Sequence, residues 1–132
     1  MSKQIITPPL LPEPRGFNHG VLTAGGRILW LAGQDAGGPG GEIVAPGDLT
    51  AQFEQVLRNL KAVVEEAGGS MLDIVKLNIY TTDRDLYKGH LPELGRLMKA
   101  YFGNYYPAMA WFEVSSLYQD EALVEMEGYA VL

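Results

Sequence analysis

Between Leu49 and Ala67 eight apolar residues (Leu49, Phe53, Val56, Leu57, Leu60, Val63, Val64 and Ala67) recur at the three-and-four spacing of an α-helix. Asp48 stands where an N-cap belongs, Gly68-Gly69 where a helix stops, and Glu54 and Arg58 form a favourable i,i+4 pair on the wet side. A helix with a single apolar stripe must lay that stripe on another element. The neighbouring segments supply one. Asp73 to Thr82, Ala108 to Ser115 and Leu123 to Val131 read as strands rich in β-branched and aromatic residues. A second helix is predicted from about Leu86 to Phe102, with its stripe on Leu91, Leu94, Leu97, Met98, Tyr101 and Phe102 and with Pro92 in an early turn or at a kink.

Ahead of the first helix, residues 1–16 carry Pro8, Pro9, Pro12 and Pro14 and read as an extended arm. Gly20 to Leu31 reads as a β-hairpin that turns at Ala24-Gly25-Gly26. The run Asp35 to Gly41 is glycine-rich, but it lacks the Lys-Ser/Thr ending of a phosphate loop and is taken as a turn. The order is ββαβαββ. It predicts an α+β fold (two layers, one mixed sheet backed by two helices) in which residues 1–132 form one domain.

Side chains alternate across a strand, so each strand sorts into two sets. One set is apolar: Ile28; Val75, Leu77, Ile79; Ala108, Ala110, Phe112, Val114; Val124, Met126, Ala130. This face is expected beneath both helices. The other set mixes aromatic with acidic residues: Lys76, Asn78, Tyr80; Met109, Trp111, Glu113; Glu125, Glu127, Tyr129, with Trp30 and Ala32 or their neighbours from the hairpin. It is too aromatic to be simply wet and too acidic to be core. Large exposed apolar patches mark interfaces. Copies of the chain are therefore expected to pack these faces together, with a pocket where carboxylates and aromatics meet.

Composition removes several alternatives. The chain has no cysteine, which excludes disulfides, thiolate metal sites and cysteine nucleophiles. A net charge of −6, with ten scattered basic residues, argues against binding a phosphate backbone, so nucleic acid is not an expected partner. No run approaches the roughly 20 apolar residues that span a bilayer. The N-terminus has no apolar stretch of signal-peptide length, and a cytoplasmic location without membrane association is expected. His19 and His90 lie far apart, with no H-x-x-x-H or HExxH spacing, so no metal site is expected. No Gly-x-Ser-x-Gly elbow is present either.

Five blocks in order resemble the Rid (YjgF-like, reactive intermediate deaminase) family. Gly16-Phe17-Asn18-His19-Gly20-Val21 is similar to its early Gly-Pro-Tyr-x-x-Gly segment, and Leu31-Ala32-Gly33-Gln34 to its Ser-Gly-Gln turn. Asp73-Ile74-Val75-Lys76 resembles the stretch that opens the third strand. Tyr106 to Val114 resembles Phe-Pro-Ala-Arg-Ser-x-x-Glu-Val, and Val124 to Val131 the closing Ile-Glu-Ile-Glu-Ala-x-Ala-Val. The resemblance implies a chorismate-mutase-like fold and a homotrimer with small-molecule pockets between subunits. It also implies hydrolysis of reactive enamines and imines, such as 2-aminoacrylate, to keto acids and ammonia without metal or organic cofactor. In such proteins the arginine of the Pro-Ala-Arg block grips the substrate carboxylate, and the first glutamate of the closing block, here Glu125, helps position the attacking water.

The chain departs from that pattern at the anchor. Met109 stands in the arginine position, and a thioether offers neither the charge nor the fork geometry of a guanidinium. Losing such a contact costs ~2–5 kcal/mol when its partner remains. Phe17 replaces a tyrosine, Ala32 a serine, and Asp85 aligns with the family's asparagine. The resemblance thus implies a pocket lined by Phe17, His19, Ala32, Gly33, Tyr80, Asp85, Met109, Trp111, Glu113 and Glu127, with Glu125 as catalytic residue. Activity on simple 2-imino acids such as 2-iminopropanoate is not expected. The substrate is expected to be neutral, cationic or larger and more aromatic. Two alternatives stay open: the glutamates pair with Lys76 or Arg27 across subunits, and the oligomer binds a ligand without catalysis.

Overall fold

Asp48 accepts a hydrogen bond from the Ala51 amide at 3.0 Å and starts helix α1 (Leu49–Glu66), which ends at Ala67 before Gly68 turns the chain with a φ of 91°. The expected Glu54–Arg58 pair forms at 3.7 Å. The computed structural model describes residues 1–132, and in it α1 is one of the helices covering one face of a four-stranded mixed sheet. The sheet comprises β3 (Ile28–Gln34), β4 (Ile74–Thr81), β5 (Ala108–Glu113) and β6 (Val124–Val131), in the order β3-β6-β4-β5. β4 and β5 run parallel, while β6 is antiparallel to both of its neighbours. The crossover from β4 to β5 carries α2 (Arg84–Gly89) and α3 (Leu91–Phe102). The predicted second helix is therefore two. The break falls at His90, which ends α2 and precedes α3, and Pro92 sits at the start of α3, where its missing N–H costs nothing.

The core lies between α1, α3 and the sheet. Phe53, Val56, Leu57, Leu60 and Val64 from α1 meet Ile74 and Leu77 of β4, Val124, Met126 and Ala130 of β6, and Phe102 of α3. Two polar residues, Gln52 and Thr81, are buried, and Thr81 donates to the Leu123 carbonyl at 2.9 Å. Gln52 donates to the carbonyls of Ala45 and Glu121 at 3.2 and 3.1 Å and accepts from the Leu123 amide at 2.9 Å. It ties α1 to two loops and leaves no polar group to strand.

Three expectations are corrected. First, Gly20 to Leu31 is not a hairpin. β2 (Gly20–Ala24) pairs only with β1 (Ser2–Ile6), which lies inside the predicted extended arm, and β3 pairs only with β6. Second, β5 faces the other way. Met109, Trp111 and Glu113 pair with Leu77, Ile79 and Thr81, so they point to the helix side, while Ala108, Ala110 and Phe112 share a face with Lys76, Asn78 and Tyr80. The Phe112 ring stacks on Tyr80 with centroids 5.5 Å apart. Third, Ile28 and Val75 are not core. Ile28 is 57% exposed on the uncovered face, and a bulge between Ile74 and Lys76 takes Val75 out of the alternation.

The uncovered face is as aromatic and acidic as expected, but with a changed membership. Trp30 (70% exposed), Phe112 (46%) and Tyr129 (42%) stand out on it beside Glu125 and Glu127, whereas Met109 and Trp111 do not contribute. Trp30 meets Tyr129 edge-on at 5.2 Å.

Candidate functional site

The predicted site residues fall into two groups on opposite faces of the sheet. The first is a cleft of about 340 Å³ at the β5 edge, lined by Gly16, Phe17, Ile79, Tyr87, Met109 and Trp111 among others. β5 presents Met109 and Trp111 to it, α2 presents Tyr87, and the loop before β2 presents Phe17. The loop is held by Asn18, whose amide donates to the Pro107 carbonyl at 2.9 Å and whose side chain donates to Tyr106 at 2.6 Å. A second cavity of about 260 Å³ shares Ile79, Tyr87 and Met109 and extends toward Met98, with Arg15 among its lining. The Tyr87 ring lies 5.3 Å from Trp111, and burial pushes its hydroxyl up to about 12. The indole Nε1–H of Trp111 is buried with no acceptor. The cleft is an apolar slot.

The second group lies on the uncovered face. Strand alternation on β6 raises Glu125, Glu127 and Tyr129 there, and β4 raises Tyr80 between them. Tyr80 donates to Glu127 at 2.5 Å. That hydrogen bond foremost, then burial and the nearby charges, pushes the phenol up to about 12. Glu125 has no cationic partner. Loss of solvent first, then the charges of Asp35 and Glu127, raises its carboxyl above the ordinary range. A Cβ on Gly33 would collide with Glu125 Oε2, so the glycine is what leaves room for the carboxylate beside the β3 bulge at residues 32–33. Ala32 is exposed next to it.

The remaining predicted residues are placed as follows. Glu113 accepts from the Arg84 amide at 2.9 Å at the start of α2, a capping contact. Asp85 is exposed in the first turn of α2, where its charge suits the helix dipole. His19 donates from Nε2 to the Pro12 carbonyl at 2.7 Å and stands edge-on to Phe17, so it braces the loop. His90 donates from Nδ1 to the Leu86 carbonyl at 2.8 Å. The ion pairs formed are Glu54–Arg58 and Glu93–Arg96, neither of them involving Glu113, Glu125 or Glu127. Tyr87, Arg15 and Asp35 were not singled out from sequence. Tyr87 falls outside the apolar stripe expected for the second helix, and the other two lie in loops without periodicity.

A two-layer α+β chain with a cleft at one sheet edge and carboxylates on the open face defines the class. The chain matches the family described as Endoribonuclease L-PSP over residues 12–132. It is 31% identical to a 2-iminobutanoate/2-iminopropanoate deaminase of Dermatophagoides farinae, over 98% of this chain and 97% of that protein. Among solved structures it resembles YyfB of the conserved Rid protein family from Yersinia pestis, with a TM-score of 0.89, 35% identity and 100% of both chains covered. It also resembles RidA from Psychrobacter sp. PAMC 21119, with a TM-score of 0.70, 30% identity, and 98% and 99% covered. The chain belongs to the Rid (YjgF, Endoribonuclease L-PSP) family.

Proposed function

We propose that the chain forms a homo-oligomer, a trimer, whose small-molecule pocket lies between copies and hydrolyses an enamine or imine that carries no carboxylate for an arginine to grip. One observation carries this reading. The apolar cleft and Glu125 lie on opposite faces of one sheet, so a single copy cannot bring them to one ligand, while the exposed Trp30, Phe112 and Tyr129 ask for a protein cover. A second copy would bring Glu125 to the cleft of the first.

The chemistry follows from the groups. The Phe17, Met109 and Trp111 slot takes an apolar or aromatic body. A desolvated carboxylate is suited to proton transfer near neutral pH. Glu125 takes a proton from water as the oxygen adds to the carbon of the protonated imine, and returns it to the nitrogen of the resulting carbinolamine. Ammonia then leaves as the hydroxyl proton passes back to Glu125, and a carbonyl remains. The deaminase activity named for the Dermatophagoides farinae relative supports this reaction type.

Ammonia release from imines generated in situ tests the reading. We expect imines with apolar, uncharged substituents to turn over faster than those derived from alanine or glycine. Met109→Arg should raise kcat/KM for the carboxylate-bearing imines by about tenfold, since it restores a charged, forked contact at the slot. Full activity of the unaltered protein on alanine-derived imine would remove Met109 as a determinant. A second reading, ligand binding without catalysis, draws on the cleft itself, which offers no carboxylate or imidazole. Thermal shift by apolar metabolites with no ammonia released would favour it.

A further inference from the structure

The segment joining β2 to β3 carries the sequence signal of a hairpin, Ala24-Gly25-Gly26-Arg27 between two apolar runs, and yet β2 and β3 do not pair. Gly25 and Gly26 hold φ values of 72° and 86° and lead the chain from one sheet to the other. The result is two strand edges without partners. On β3 the bare edge can be assigned residue by residue. Arg27 and Leu132 exchange both backbone hydrogen bonds, at 2.8 and 2.9 Å. In an antiparallel ladder bonded and non-bonded pairs alternate. Ile28 opposite Val131 and Trp30 opposite Tyr129 are therefore non-bonded pairs, whose N–H and C=O groups point away from β6 into open space. On the other side, β2 has only β1 beside it. Every residue of β1 is exposed, as is Leu22 of β2. A two-stranded ribbon is marginal by itself in water.

The ribbon also lies where a neighbour could take it. Asn18, at its foot, bridges to Ala108 at the β5 edge, whereas the bare edge belongs to β3 at the other end of the sheet. An adhesive ribbon on one copy and a bare strand edge on the next make a head-to-tail contact, which closes into a ring when the rotation per copy allows. We propose that the β1–β2 ribbon of one copy adds to the β3 edge of the next, so that copies exchange the pairing a closed hairpin would make within one chain. The occupant is a second copy of this chain because its β2 is the strand that the sequence pairs with β3 through the Gly25-Gly26 turn. The inference rests on the assembly proposed above and adds how its members are joined. It turns each four-stranded sheet into one of six and covers an edge that would otherwise invite aggregation.

Amide hydrogen exchange on the assembled protein reads this directly. Ile28 and Trp30 should exchange about 100-fold more slowly than free-chain rates. In a mixture refolded from isotope-labelled and unlabelled copies, nuclear Overhauser effects should connect β3 amides of one copy to β2 of another. Ile28→Pro removes only an outward N–H, which an edge strand tolerates. It should sediment toward the lone subunit while keeping its far-ultraviolet dichroism, and a folded variant still fully assembled would overturn the proposal. Free-chain exchange at both residues in an oligomer, or β2–β3 effects within one copy alone, would also overturn it while leaving the assembly intact. A wild-type protein that sediments as a single subunit would remove both. If Ile28→Pro does not fold, the wild-type exchange and mixed-label results decide.

Discussion

Gly128→Ala is expected to destabilise the protein by about 4 kcal/mol or more, enough to unfold an ordinary domain of this size. Gly128 sits in β6, the strand flanked by β3 and β4, opposite Leu31 on one side and Leu77 on the other. The bulge between Ile74 and Lys76 lies beside it, and the Lys76 carbonyl is the nearest group. A Cβ at Gly128 would overlap the Lys76 oxygen and lie 2.9 Å from its carbonyl carbon and 3.2 Å from Leu77 Cα. Every one of these atoms is backbone, so no rotamer change relieves the contact, and β4 must part from β6. Gly95 in α3 provides the control. A Cβ there meets nothing within 4 Å, and alanine in a helix should stabilise by about 0.5–1 kcal/mol. Guanidinium unfolding of the two variants measures both, and equal midpoints would refute the packing argument.

Glu125→Gln is expected to lower imine hydrolysis by about 10²–10⁴-fold, the usual range for a lost general base. The amide keeps the shape and removes the proton acceptor. Stability should move the other way. The carboxyl is raised in the folded state, so the native protein binds its proton more tightly than the unfolded chain does. That contribution is fully present below the ordinary glutamate value and is lost as pH rises through the folded value. Wild-type stability should therefore fall with rising pH across this window. Glu125→Gln should lack that fall and be at least as stable as the wild type at neutral pH. Activity should rise with pH across the same window as the base ionises. Undiminished turnover by Glu125→Gln would leave ligand binding as the surviving reading.

Local sequence was sufficient wherever one signal dominated. The stripe of α1 from Leu49 to Val64, its Asp48 cap and its glycine stop are all present, because capping and periodicity act within a few residues. The phase of β6 was legible because Glu125 and Glu127 alternate with Val124 and Met126, so only one face could be buried. β5 carried no such contrast. Ala108, Met109, Ala110, Trp111 and Phe112 are apolar on both faces, and alternation cannot choose between two apolar sets. The β4–β5 register chose, and it moved Met109 and Trp111 away from Glu125. The hairpin misled for a related reason. A Gly-Gly turn permits pairing between its flanks but does not require it.

The sequence alone determined the family, the mixed α+β architecture, the helix-backed core and the strand positions of Glu125, Glu127 and Tyr80, because these follow from periodicity and short-range chemistry. Only the tertiary structure decided which face β5 shows, where the β1–β2 ribbon goes and that the cleft and the carboxylates stand apart. Those depend on backbone pairing between distant segments, and a one-residue slip in such pairing sends every side chain of a strand to the other side.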